Sequence, residues 1–209
     1  MLRRFLRFFF WHLYHRLSWA YDLVAALVSM GQWQSWGRQA LVHVRGPRVL
    51  EVGFGPGHLQ VALQQQGWIA FGIDESPQML KQAARRLKRH NLSLRLARGL
   101  AQSLPFGDAS FDTVLSTFPS EYIVDTRTLA EAFRVLRPGG RLVVLPMIWP
   151  GGALRLLFRA TGQATPVTAQ LVEQMRAPVE AAGFEVAVEI EKTCGADLVF
   201  VLARKPAPL

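Results

Sequence analysis

Cysteine is almost absent from this chain of 209 residues, and the single thiol is Cys194. One thiol cannot form an intramolecular disulfide, and no Cys/His cluster has the spacing of a zinc site. A reducing, cytoplasmic setting and a buried structural cysteine are therefore expected, with no metal. Long apolar runs are also missing: no stretch reaches the roughly 18 uncharged apolar residues that a membrane span requires. The opening run MLRRFLRFFF is basic and apolar like the front of a secretion signal. Arg7, His12, His15 and Arg16 interrupt it, and no small-residue cleavage site follows, so secretion is not expected. Acidic residues are scarce, with 15 Asp and Glu against 24 Lys and Arg and a net charge of +9. That balance suits a polyanionic partner, either nucleic acid or an anionic membrane surface. The excess of Arg over Lys is equally what a GC-rich genome produces by itself.

What is present is apolar: half of the residues are hydrophobic and 19% are charged, enough to bury the core of one ordinary domain. Residues 2 to about 44 read as helical. Beyond them, short β-rich runs alternate with helical stretches, the rhythm of βαβ units and a mostly parallel sheet. Strands are expected at Arg48–Val52, Ile69–Ile73, Leu92–Leu96, Thr113–Ser116 and Arg141–Leu145. Helices are expected at His58–Gln66, Pro77–His90 and Thr128–Leu136. Ser76 and Pro77 supply a cap and a first-turn proline for the second helix. Further helices are expected at Gly151–Ala160 and Val167–Ala182. Phe184–Glu191 and Leu198–Leu202 then read as strands whose short connection allows only an antiparallel pair. The resulting fold is an α/β Rossmann-like three-layer sandwich: a mostly parallel seven-stranded sheet with a C-terminal antiparallel hairpin, plus N-terminal helices. Residues 1–44 form a helical lid or membrane-surface segment, residues 45–205 the ligand-binding domain, and residues 205–209 a frayed tail.

The chemistry concentrates where Val49-Leu50-Glu51-Val52-Gly53-Phe54-Gly55-Pro56-Gly57 runs from a strand into a helix. Alternate glycines permit a tight turn and close approach of a ligand, and the helix N-terminus adds unsatisfied N–H groups. Asp74, about twenty residues on, stands where an acid accepts hydrogen bonds from ribose hydroxyls in nucleotide-binding sheets. His58 replaces the third glycine of the dinucleotide pattern, and Glu51 puts an acid before the turn. An acid is a poor neighbour for a pyrophosphate and a good one for a cation. The expected ligand is thus nucleoside-like, cationic and free of phosphate.

These residues resemble class I S-adenosylmethionine-dependent methyltransferases. Four blocks match in order: Val49–Gly57, Gly72–Ser76, Leu104–Asp112 and Leu136–Leu142. Upstream, Tyr21-Asp22, Ser29-Met30-Gly31 and Trp33 or Trp36 are similar to the leading helices of the ubiquinone/menaquinone biosynthesis C-methyltransferase group. The resemblance implies that Glu51 and the turn at Gly53, Phe54, Gly55 and Gly57 hold the methionine end of S-adenosylmethionine. It places Asp74 on the ribose, Glu75 and Met79 near the adenosine, Ala101 and Gln102 near the adenine, Ser116 facing the sulfonium and Tyr21 closing over the cofactor. Leu100 stands where the family commonly has an acid. The run Phe118-Pro119-Ser120-Glu121-Tyr122 departs from the quinone enzymes, and the Asn/Asp-Pro-Pro-aromatic motif of amino-methylating nucleic-acid enzymes is absent.

Methyl transfer is mainly a matter of alignment, and some acceptors also need a base. Glu121 is the expected base, with His12, His15 and Tyr122 as rivals. The expected substrate is a small, hydrophobic or quinone- and lipid-like molecule rather than nucleic acid. An RNA or DNA methyltransferase and a non-catalytic S-adenosylmethionine binder are the alternatives. Arg3, Arg4, Arg7 and Arg16 alternate with Phe, Trp and Leu in residues 1–17, a pattern for an interfacial helix at the inner membrane surface, for a lid packed over the cofactor, or for both.

Overall fold

The computed structural model describes residues 32–150, 169–193 and 196–207. Tyr21, His12, His15, the residue 1–17 segment and the helix expected at Gly151–Ala160 lie outside the described residues. Helix α1 (Trp33–Gln39) runs into a 3-10 turn at Ala40–His43. Strand β1 (Arg48–Val52), helix α2 (His58–Gln65), strand β2 (Ile69–Asp74), helix α3 (Pro77–Arg89) and strand β3 (Leu96–Arg98) follow. Strand β4 (Phe111–Thr117) leads through a 3-10 turn at Glu121–Val124 to helix α4 (Thr126–Val135), strand β5 (Leu136–Pro150), helix α5 (Ala169–Ala181) and strands β6 (Glu185–Thr193) and β7 (Ala196–Arg204).

The seven strands form one sheet in the order β3-β2-β1-β4-β5-β7-β6. Neighbours from β3 to β5 pair in parallel, and β7 runs antiparallel to both β5 and β6. This is the Rossmann-like sandwich with its C-terminal antiparallel hairpin. Strand β1 is buried after its first residue, as a strand covered on both faces must be. Leu50 and Val52 enter one core cluster with Phe111, Leu129 and Leu142. Val49 enters the other with Trp36, Leu41, Leu63, Leu115 and Phe200. The described end of the N-terminal segment is thus part of the domain core.

Local chemistry accounts for several helices. Ser76 Oγ accepts the Met79 N–H at 3.3 Å and Pro77 takes the first turn of α3. Met79, Ala83 and Leu87 make its buried stripe, one residue per turn, while Arg86, Lys88 and Arg89 sit in its last turn against the helix dipole. Helix α4 starts earlier than the sequence pattern suggests, because Asp125 rather than a later residue caps it, accepting the Arg127 N–H at 2.8 Å.

Three expectations need correcting. Strand β3 begins at Leu96, not Leu92. The Leu92 N–H closes the end of α3 on the Leu87 carbonyl at 3.0 Å, and the Gln64 amide takes both backbone groups of Ser93, so Leu92 and Ser93 are not available to the ladder. Strand β5 begins at Leu136, well before Arg141, with a register break across the Pro138-Gly139-Gly140 run between the Phe111 and Thr113 pairings. Lys205 is not frayed: its backbone pairs with Gly139 and Gly140, and its ammonium donates to the Phe133 and Leu136 carbonyls at 2.7 and 2.8 Å, closing the C-terminus of α4.

Candidate functional site

Strand order reverses between β1 and β4, and the crevice beyond the strand C-termini at that point is where open α/β sheets bind ligands. Val52, Asp74 and Thr117 end their strands there. The three turn glycines all have left-handed backbones. At Gly57 the reason is packing: a Cβ would meet the Ala83 Cβ at 2.6 Å, so α3 lies directly on the turn. At Gly53 the space is taken by the Tyr122 hydroxyl, 2.4 Å from where a Cβ would stand. Among the described residues nothing stands within 4 Å of where a Gly55 Cβ would be, and on that side the turn faces the crevice.

Asp74 shapes the turn. It is buried, with Oδ2 accepting the Gly55 N–H at 2.8 Å and Oδ1 accepting the Ser76 N–H at 2.9 Å. A carboxylate offers about four acceptor positions. Glu51 is 2% exposed, and its Oε2 accepts from the Gln60 amide at 2.8 Å. Burial pushes its carboxyl up to about 8; the Gln60 bond pulls it back and the Asp74 charge adds to the rise. An acid held so far from its ordinary range by desolvation is a group waiting for a cation.

The other expected residues divide. Phe54 and Met79 pack with Ala83 in a small apolar cluster under the turn, and Ala101 belongs to the main core. Gln102 is half-buried and Glu75 exposed, the latter's carbonyl accepting from Arg98 at 3.0 Å. Ser116 is buried at the end of β4, where its hydroxyl donates to the Val52 carbonyl at 2.8 Å and meets the Tyr122 hydroxyl at 3.0 Å. Glu121 is exposed in the 3-10 turn after β4. Its neighbour Tyr122 turns inward, 3.2 Å from the Val52 carbonyl. Burial raises the Tyr122 phenol above its ordinary range, so it serves as a hydrogen-bonding hydroxyl and not as a base at neutral pH.

Sequence reading missed Gln60, whose amide spans Glu51 and the Phe71 carbonyl. It sits at the third position of α2, one turn above the glycines, and that placement is the only signal it carries. Trp33 and Phe118 were missed as a pair. Their rings meet at a 32° tilt with centroids 3.9 Å apart, and Phe118 holds a left-handed backbone with φ 51°, a strained choice for an aromatic residue. They line an open cleft shared with Arg38, Glu51, Gly53 and His58. Helix α1 is therefore one wall of the crevice.

A doubly wound sheet, a glycine turn and two buried acids meet at one crevice. The family described as "Methyltransferase domain" matches residues 50–144. An uncharacterized methyltransferase of Bacillus subtilis, YdaC, is 31% identical over 178 residues, covering 82% of this chain and 91% of the relative. The demethylmenaquinone methyltransferase of Deinococcus radiodurans is 38% identical over 151 residues, which is 66% of this chain; the chain spans 62% of that relative's length. Among solved structures, a Thermotoga maritima S-adenosylmethionine-dependent methyltransferase, described as a possible histamine N-methyltransferase, superposes with a TM-score of 0.66 at 23% identity, covering 93% of this chain and 99% of the other, a likeness of fold. The chain belongs to the class I S-adenosylmethionine-dependent methyltransferase family. Within that family it is similar to the menaquinone-type members.

Proposed function

We propose that this protein transfers a methyl group from S-adenosylmethionine to a small, hydrophobic, quinone-like acceptor. The observation that carries the reading is Glu51, an acid buried at the switch point with its carboxyl raised to about 8. S-adenosylmethionine bears an ammonium and a sulfonium and no phosphate, so it matches a crevice with buried acids at Glu51 and Asp74 and a left-handed glycine backbone at Gly55. When bound, it supplies a methyl carbon already activated by positive sulfur.

Glu51 would hold the ammonium end, and the Asp74 carboxylate the ribose hydroxyls. Ser116, Tyr122 and the Val52 carbonyl form an oxygen cluster beside Gly53. Oriented oxygen dipoles of this kind stabilise positive charge without reorganising. Gln102 and the Ala101 backbone are assigned to the adenine edge. Trp33 and Phe118 offer an aromatic wall, which supports an aromatic acceptor, as do the demethylmenaquinone methyltransferases among the relatives. Tyr21 is assigned the closing role, and residues 1–17 a membrane-surface role that would bring the enzyme to a lipid-soluble acceptor. Flotation of the full chain with anionic liposomes, and its loss when residues 1–17 are removed, is the expected result; no flotation of the full chain contradicts it.

Glu121 is assigned as the base that takes the acceptor's proton. Supplied with S-adenosylmethionine and a panel of quinols, catechols, phenols and amines, the protein is expected to release S-adenosylhomocysteine with a quinol or catechol. Glu121→Gln should slow turnover roughly 10²-fold or more with cofactor affinity intact. Unchanged turnover removes Glu121 from the chemistry, and methylation confined to amines overturns the acceptor.

A further inference from the structure

Outside the crevice, three chemically active side chains meet between the 3-10 turn at Ala40–His43 and the edge strand β6. Glu189 and Glu191 are two residues apart on β6 and so project from the same face. Their partners on β7 are Phe200 and Leu198, and the His43 ring lies against Phe200 with centroids 4.6 Å apart. One ligand atom from each of His43, Glu189 and Glu191 falls within 4.8 Å of the other two.

His43 is 8% exposed, and its buried Nε2 makes no hydrogen bond among the described residues. That nitrogen nevertheless stands 3.0 Å from Glu191 Oε1. Two atoms bound at right angles to one cation, each about 2.1 Å from it, lie about 3.0 Å apart. The His43–Glu191 separation fits that distance. Two carboxylates side by side on one strand face also repel each other unless a cation stands between them. Arg141 lies within electrostatic reach of Glu189, but its Nη1 is directed at the His43 carbonyl, 3.3 Å away.

We propose that His43 Nε2, Glu189 and Glu191 bind one divalent transition-metal cation of the Mn²⁺, Co²⁺ or Zn²⁺ class. One imidazole and two carboxylates, with water filling the remaining positions, match the borderline character of these ions. The site is structural. It ties the edge strand β6 to the turn that follows α1, and α1 carries Trp33 and Arg38 into the wall of the cleft. The sequence expectation of a metal-free chain rested on local Cys/His spacing, which cannot register ligands that the fold brings together from its two ends.

The full chain, stripped with chelator and free of nucleotide ligand, is titrated with MnCl₂ and with ZnCl₂ by calorimetry, and with CoCl₂ by visible absorption. One equivalent should bind and raise the melting temperature, since a ligand of the folded state stabilises it. Glu191→Gln should weaken binding about 10- to 100-fold, and Glu189→Gln/Glu191→Gln should abolish the one-equivalent binding and the melting shift. Both substitutions are close in shape and lie on an edge strand, so the variants are expected to fold; circular dichroism checks this. His43→Gln repeats the test from the nitrogen side. Absence of saturable one-equivalent binding overturns the proposal. So does binding retained by the double variant, which would place the ion on other histidines such as His58 or His90. A melting temperature insensitive to metal but lowered in Glu191→Gln would assign the contact to an ion pair instead.

Discussion

Replacing Glu51 with Gln is expected to weaken S-adenosylmethionine binding by at least about 100-fold, because removing one partner of a buried charge pair costs about 3–5 kcal/mol. The same substitution should stabilise the ligand-free protein at alkaline pH. The carboxyl is raised from its ordinary 4.5 to about 8 by burial, with Asp74 adding to the rise against the Gln60 bond. Below pH 4.5 the group is protonated in the folded and unfolded chains alike. Between 4.5 and 8 the unfolded chain gives up the proton while the folded chain keeps it, so stability falls as pH rises through that window. Above it the folded protein carries the charge at a penalty that Gln lacks, and Glu51→Gln should unfold with a free energy roughly 2–4 kcal/mol higher at pH 9. Calorimetric melting across pH 5–9 tests this: two parallel stability curves would contradict it. A substitution that stabilises the fold while removing ligand affinity marks a residue kept for binding.

The second large effect belongs to Asp74. Both of its oxygens accept backbone N–H groups, from Gly55 at 2.8 Å and Ser76 at 2.9 Å. Asn has almost the same shape, but one side of its amide would present N–H to N–H. Leaving a buried donor unsatisfied costs about 1–3 kcal/mol. Asp74→Asn should lower the melting temperature accordingly and also weaken cofactor binding about 10- to 100-fold, since the turn at Gly55 loosens and the ribose loses acceptors. Comparison with Asp74→Glu separates the parts: the longer acid keeps the charge and loses the clamp. Wild-type affinity in Asp74→Asn would remove Asp74 from the site.

Features written in local chemistry were legible in the sequence. Ser76-Pro77 announces the start of α3, the Val49-Leu50-Glu51-Val52 run before a glycine turn announces β1, and the short connection after β6 forces an antiparallel pair. Features that depend on what lies opposite were not. Leu92 and Leu94 alternate like a strand, yet the Leu92 N–H goes to the end of α3 and the Gln64 side chain takes the Ser93 backbone. Lys205 looks like a tail until the carbonyls at the end of α4 arrive to receive it.

The site divides in the same way. Glu51, Gly53 and Asp74 could be placed from spacing alone, because strand ends and the turn between them share one edge of the sheet. The Gln60 bond to Glu51, the inward turn of Tyr122 and the Trp33–Phe118 contact could not, since each depends on a side chain of one element meeting another element. Gly57 shows the limit of motif reading in reverse: its lack of a side chain makes room for Ala83 of α3, so one glycine of the motif answers to packing.

In the proposed binding mode a buried acid surrenders its proton to a cationic ligand. With the Glu51 carboxyl at about 8, about nine in ten molecules hold that proton at pH 7. Calorimetric titration of the wild-type protein with S-adenosylmethionine at pH 7, in two buffers of different ionisation heat, measures it directly. The expected result is saturable binding with nearly one proton released per ligand, falling toward zero by pH 9 and absent in Glu51→Gln. Saturable binding with no proton exchanged between pH 6 and 9, or no binding of S-adenosylmethionine, would contradict the account.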